Sequence, residues 1–122
     1  MLTITFALKA LRNLLVDRDH PFFAHLFVTE RCNLRCRYCE VWKNPRPELD
    51  EDGLKGIIDR LALMGTAVIS FTGGEPLLRA DIFRLIGHAK RHGMHTKITS
   101  NGTMPRARYQ ELLDSDIDAI SI

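Results

Sequence analysis

Residues 50–76 read DEDGLKGIIDRLALMGTAVISFTGGEP, and the fold is decided in this stretch. Leu54, Ile57, Ile58 and Leu61 recur three and four positions apart, which puts apolar side chains on one face of a helix. Asp50 stands where an N-cap is needed, and Glu51 and Asp52 suit the positive end of the helix dipole. Gly65 supplies the residue type that ends such a helix. Ala67 to Thr72 is then a short apolar, β-branched run, which predicts a strand, and Gly73-Gly74-Glu75-Pro76 predicts the loop after it.

The same order extends in both directions. Upstream, Phe22 to Thr29 follows Pro21 and predicts a strand, and the segment around Asn44-Pro45-Arg46-Pro47 cannot be helical throughout, because each proline disfavours helix in the residue before it. Downstream, a helix is expected from about Ala80 to His92, closed by Lys90, Arg91 and Gly93. Met94 to Ser100 reads as a third strand, Asn101-Gly102 as a turn, the segment after Pro105 as a short helix, and Ile117 to Ile122 as a fourth strand. Strands alternating with helices at this spacing give an α/β fold of parallel βαβ units with right-handed crossovers, either a doubly wound sheet or a barrel. A fourth strand with no helix after it leaves an open edge, so the pattern reads as truncated after the fourth strand, its completion expected from further elements or a partner.

Met1 to Val16 is leucine-rich, with a stripe at Leu8, Leu11 and Leu15, but Lys9, Arg12 and Asn13 interrupt it and no small-residue cleavage site follows. It is expected to be a helix capping one end of the fold, with a membrane-surface helix as the alternative. No run approaches the roughly 18 apolar residues of a membrane span. The 17 basic and 15 acidic residues leave a formal charge of +2, too little for an electrostatic footprint on nucleic acid. Residues 1–20 are thus expected to be a helix and linker, and 21–122 the α/β domain.

All three cysteines fall within eight residues, and an odd number cannot pair completely into disulfides. A shared ligand in a reducing, cytoplasmic compartment explains them better. Cys32-x3-Cys36-x2-Cys39 is spaced to offer three thiolates to an iron–sulfur cluster, and without a fourth cysteine one iron stays open to another ligand. A zinc site completed by His25 or His20 is the alternative, and redox-sensing or merely buried cysteines a third. Arg31, Arg35 and Arg37 read as a solvated basic surface, or as groups shielding a cluster or meeting an electron donor. Trp42 is expected either to cover the loop or to pack on the first helix. In the third strand His95, Lys97, Thr99 and Asn101 share a face, and Ser70 and Thr72 share one in the second. A lysine on an inward face needs an anion, so Lys97 is a candidate contact for a substrate carboxylate or phosphate; a stem bent to solvent is the alternative.

The cysteine loop resembles the CxxxCxxC signature of the radical S-adenosylmethionine superfamily, in its expected place after the first strand, and Gly73-Gly74-Glu75-Pro76 resembles the family's GGE loop. The resemblance covers about residues 22 to 122. It implies the N-terminal half of a parallel-stranded (β/α) partial TIM-type barrel, with Cys32, Cys36 and Cys39 on a 4Fe-4S cluster and the methionine part of S-adenosylmethionine on its open iron. It also implies cofactor contacts at Tyr38, Gly73, Gly74, Glu75, Pro76 and Asn101, with Glu75 fixing the loop or its local charge. The activity implied is oxidoreductase-like or lyase-like hydrogen abstraction by a 5′-deoxyadenosyl radical. The partners implied are a small-molecule or peptide substrate and a low-potential electron donor such as flavodoxin or ferredoxin.

Overall fold

The computed structural model describes residues 4–16 and 19–122, so Met1 to Thr3 of the expected first helix and residues 17–18 of the expected linker lie outside the described residues. The elements are α1 (Ile4–Leu15), β1 (Phe23–Thr29), α2 (Glu51–Leu63), β2 (Val68–Gly73), a 3₁₀ turn (Pro76–Leu78), α3 (Ile82–Arg91), β3 (His95–Thr99), α4 (Arg106–Asp114) and β4 (Ala119–Ser121). The strands form one all-parallel sheet in chain order, β1-β2-β3-β4. This is the start of a barrel wall.

Local chemistry sets the ends much as expected. Asp50 accepts a hydrogen bond from the Gly53 backbone N–H at 2.8 Å and caps α2, and Gly65 follows its last turn at φ +84°. The helix expected from Ala80 begins later, at Ile82, because the Glu75 side chain caps a separate turn that Pro76 opens. Side chains alternate between the two faces of the sheet up to a register shift at the end of β1. Leu26, Val28, Ile69, Phe71 and Ile98 face outward and pack with Leu54, Ile58, Ile82, Leu85, Ile86 and Leu112 of the helices in one buried core. Burial of each such side chain contributes about 1.5–3 kcal/mol.

The other face carries Phe23, His25 and Phe27, then Val68, Ser70 and Thr72, then His95, Lys97 and Thr99, then Ala119 and Ser121 in matching register. Phe23 and Phe27 are exposed there. That is what the inner face of an incomplete barrel looks like.

Helix α1 caps the N-terminal ends of the strands, but not with its leucines. Lys9 Nζ donates to the backbone oxygens of His92 at 2.9 Å and Thr66 at 3.5 Å, and Phe6 packs its ring on Phe22 and His95. Leu8, Leu11 and Leu15 point to solvent. The carbonyls of His92, at the end of α3, and of Thr66, past the end of α2, offer the lysine an acceptor site, and that turns the polar side of α1 inward. Partial burial holds the Lys9 pKa below its usual value.

Strand β4 is short and is held by Asp118. Its Oδ2 accepts from the Thr96 backbone N–H at 2.8 Å and the Thr96 hydroxyl at 3.0 Å, and Lys90 donates to Oδ1 at 2.9 Å. Burial pushes the Asp118 pKa up, but the Thr96 backbone N–H and Lys90 outweigh it and leave it lowered. A carboxyl group whose pKa is lowered on folding adds stability above its unfolded pKa, near 3.9, and loses it as pH falls through the lower folded value. Asp118→Asn is therefore expected to cost about 1–3 kcal/mol at pH 7, with the gap to wild type closing below about pH 4. Urea denaturation at the two pH values checks this; a gap that does not change with pH would contradict it.

Candidate functional site

Strand β1 ends in a long loop, residues 30–50, that holds the cysteines before α2 begins. It has no regular structure, so side chains and neighbouring backbone must fix it. Trp42 Nε1 donates to the Cys36 carbonyl at 3.2 Å. Arg35 donates to the Cys32 carbonyl at 2.9 Å while its guanidinium lies 4.9 Å from the Trp42 ring centre. Arg31 pairs with Glu48 at 2.7 Å, and Arg46 holds Glu30 through its backbone N–H at 2.7 Å and its guanidinium. Two of the arginines read from sequence as solvated surface thus tie the loop together.

The glycine loop closes on it from the side. The register shifts at the end of β1 so that Thr29 pairs with Gly73. Gly74 N–H donates to the Thr29 carbonyl and Glu75 N–H to the Arg31 carbonyl, both at 2.8 Å. A Cβ on Gly73 would stand 2.0 Å from the Thr29 oxygen, and one on Gly74 would stand 2.1 Å from the Arg31 oxygen. Only glycine permits this approach, so the two residues seat the cysteine loop.

Glu75 is fully buried and joins three segments. Its Oε1 accepts from the Leu77 N–H at 3.0 Å, and its Oε2 accepts from the Asn101 N–H at 2.7 Å and the Ser100 hydroxyl at 3.1 Å. Pro76 is buried beside it. Both side chains are buried in the protein itself. Asn101, held in this way, donates through Nδ2 to Asn33 Oδ1 at 2.8 Å and lies 3.7 Å from Cys32 Sγ. The end of β3 therefore meets the first cysteine, an association that residue spacing alone did not reveal.

The three thiols are half-buried and free. Cys32 Sγ also accepts from the Leu34 N–H at 3.5 Å, and the Cys39 N–H donates to the Cys36 carbonyl at 3.1 Å. Tyr38 is 91% exposed, and the neighbouring Cys36 thiol, then Cys39, pushes its phenol pKa up. Lys97 is half-buried on the inner face beside Ser70, whose buried hydroxyl has no hydrogen-bond partner among the described residues. His25 lies on β1, in register with Ser70 and away from the loop.

Sequence reasoning passed over Arg79. It is 5% exposed and donates to Asp81 from Nε and Nη2 at 2.8 and 2.6 Å, and from Nη1 to the carbonyls of Val28 and Leu49 at 3.0 and 3.1 Å. It pins both ends of the cysteine segment, and the only local signal for it was an aspartate two residues on. Arg108 of α4 in turn holds the carbonyls of Leu77 and Arg79, at 2.9 and 2.8 Å. A cleft of about 280 Å³ runs along the free edge of β1, lined by Phe27, Arg46, Pro47 and Ile57 among others, and no cysteine borders it.

Three free thiols carried on one loop at this spacing are a donor set that fits an iron–sulfur cluster held by three cysteines.

The sequence of residues 26–122 matches the family model of the radical SAM superfamily, and the chain belongs to that family. Its members use a 4Fe-4S cluster and S-adenosylmethionine. The chain is 39% identical over 80 residues to an AdoMet-dependent heme synthase of Nitratidesulfovibrio vulgaris, covering 63% of this chain and 22% of that protein. It is 34% identical over 114 residues to a GTP 3′,8-cyclase of Lactiplantibacillus plantarum, covering 87% and 34%. Among solved structures, BtrN in complex with AdoMet and 2-DOIA superposes with a TM-score of 0.70 at 26% identity, covering 82% of this chain and 44% of that one. The chain spans about a fifth to a third of the length of these curated relatives. No helix among the described residues is long and apolar enough to cross a membrane.

Proposed function

We propose that Cys32, Cys36 and Cys39 hold a 4Fe-4S cluster with S-adenosylmethionine on its open iron, in a cytoplasmic enzyme that abstracts hydrogen from a substrate. When bound, the pair supplies one-electron reductive cleavage of the cofactor to methionine and a 5′-deoxyadenosyl radical. The observation that carries this reading is the junction at Glu75, which ties the glycine loop and Asn101 to one corner with the cysteine loop. The chain's own residues have defined tasks in it. Trp42 and Arg35 hold the Cys36 and Cys32 carbonyls, Asn101 and the Leu34 N–H direct hydrogen bonds at the Cys32 sulfur, and Gly73 and Gly74 leave backbone in place of side chains next to the site.

The exposed Tyr38 ring is assigned to the adenine side, and Lys97 to a substrate anion on the inner face. The radical's target is a small molecule or peptide, and the electron comes from a low-potential donor such as flavodoxin or ferredoxin. The exposed Phe23 and Phe27 support a further point, that this face is completed by more protein before turnover.

Anaerobic reconstitution with iron and sulfide, then electron paramagnetic resonance of the reduced chain, tests the reading. A cluster signal that changes on adding S-adenosylmethionine is expected, and Cys32→Ala, Cys36→Ala or Cys39→Ala should each abolish it. Zinc as the only stoichiometric metal would sink the proposal and leave a non-catalytic binding module. Lys97→Met is expected to keep the signal; its loss would remove Lys97 from the substrate side.

A further inference from the structure

On the outer surface, Asp59 of α2 meets two histidines from the end of α3. His88 and His92 are four residues apart, so their rings share a side of the helix, with centres 5.1 Å apart. The Nε2 atoms lie 2.6 and 2.7 Å from the same Asp59 Oδ1. This is the group among the described residues in which three potential metal-ligand atoms fall within 4.8 Å of one another. The scaffold beneath is packed, since Ile58, Leu85 and Ala89 are fully buried. The hydrogen bonds from His88 and then His92 hold the Asp59 pKa below the ordinary carboxylate range, so the group is anionic at neutral pH.

We propose that Asp59, His88 and His92 form a binding site for one divalent transition-metal ion, zinc by preference, which clasps α2 to α3. Two imidazoles and a carboxylate are a borderline donor set that suits zinc, and three protein ligands leave a fourth position for water. In a tetrahedral zinc site the ligand atoms stand about 3.3 Å apart, so the present contacts must open by roughly 0.6 Å. Small side-chain rotations supply that, because all three side chains are partly exposed. Coordination through Nε2 moves the imidazole proton to Nδ1. Arg91 Nη2, now 3.2 Å from His88 Nδ1, must then swing away, and it is exposed and has room to do so. The competing possibility is a clasp of hydrogen bonds alone, an Asp59 carboxylate shared by two N–H donors with no metal.

Zinc titration of the full chain carrying Cys32→Ser, Cys36→Ser and Cys39→Ser removes the thiolates as competitors. One zinc per chain is expected, with a Kd of about 1 μM or below, and a melting temperature raised by roughly 5–10 °C in excess zinc. Asp59→Asn, His88→Gln and His92→Gln should each weaken binding by more than the roughly 10–100-fold that loss of an outer-shell partner costs. In case the serine variant fails to fold, the same count is made by elemental analysis of cluster-reconstituted wild-type chain, whose cysteines are occupied, against His88→Gln/His92→Gln. No stoichiometric zinc in either preparation, or zinc that survives the histidine substitutions unchanged, would overturn the site in favour of the metal-free clasp.

Discussion

Gly73→Ala is expected to destabilise the chain by about 3–5 kcal/mol, and to free the cysteine loop as it does so. Two costs add. The residue sits at φ +138°, a conformation that side chains rarely adopt, and the new methyl carbon would stand 2.0 Å from the Thr29 carbonyl oxygen. That oxygen belongs to the strand backbone and already accepts the Gly74 N–H at 2.8 Å. Relief therefore requires the two segments to part, which breaks that bond and strains its neighbour between Glu75 N–H and the Arg31 carbonyl. A loss of this size lowers the melting temperature by on the order of 10–20 °C in a domain of this length. Thermal unfolding measures that, and the rate of thiol modification by a disulfide reagent measures the loop. Faster modification of the cysteines in the folded variant is expected; an unchanged rate and melting temperature would show that the approach is not needed. Gly74→Ala should act in the same direction through the Arg31 oxygen, without the backbone penalty.

Glu75→Ala is expected to cost a similar amount, about 3–5 kcal/mol, by a different route. Truncation leaves the buried N–H of Leu77 and the part-buried N–H of Asn101 without their acceptor, and each such orphan costs about 1–3 kcal/mol. The Ser100 hydroxyl fares better because the Tyr109 hydroxyl lies 2.9 Å away. Glu75→Gln keeps the shape but turns one acceptor into a donor that faces an N–H, so an intermediate loss is expected. Denaturant unfolding of the two variants orders them. If the glutamine variant matched wild type, the hydrogen bonds would not be what the residue supplies.

These effects bear on how the chain encodes its fold. The alternation of helices and strands was readable because apolar spacing is local: Leu54 to Leu61 and the run before Gly73 announce themselves within a few residues. Asp50 and Gly65 were legible for the same reason, as caps with a local mechanism. The inward turn of α1 was not. Its leucine stripe is the stronger local signal, but Lys9 finds its acceptors in His92 and Thr66, far along the chain, and no window of sequence contains both. Arg79 was hidden in the same way, since its carbonyl partners at Val28 and Leu49 are remote in sequence. The candidate site was half legible. The cysteine spacing and the glycine loop stood out as patterns, whereas the seating of one against the other depends on close backbone approach, which leaves no trace except the glycines. Asp59 could not be associated with His88 and His92 until α2 and α3 were seen to pack side by side.

The sheet is laid down strictly in chain order, and the partners that fix the cysteine loop are all contributed by residues up to about Thr103. For a chain emerging from a ribosome at about 5–20 residues per second, this amounts to a schedule. Each new strand finds its mate already made, and the glycine loop and Asn101 arrive in turn to close the cysteine corner.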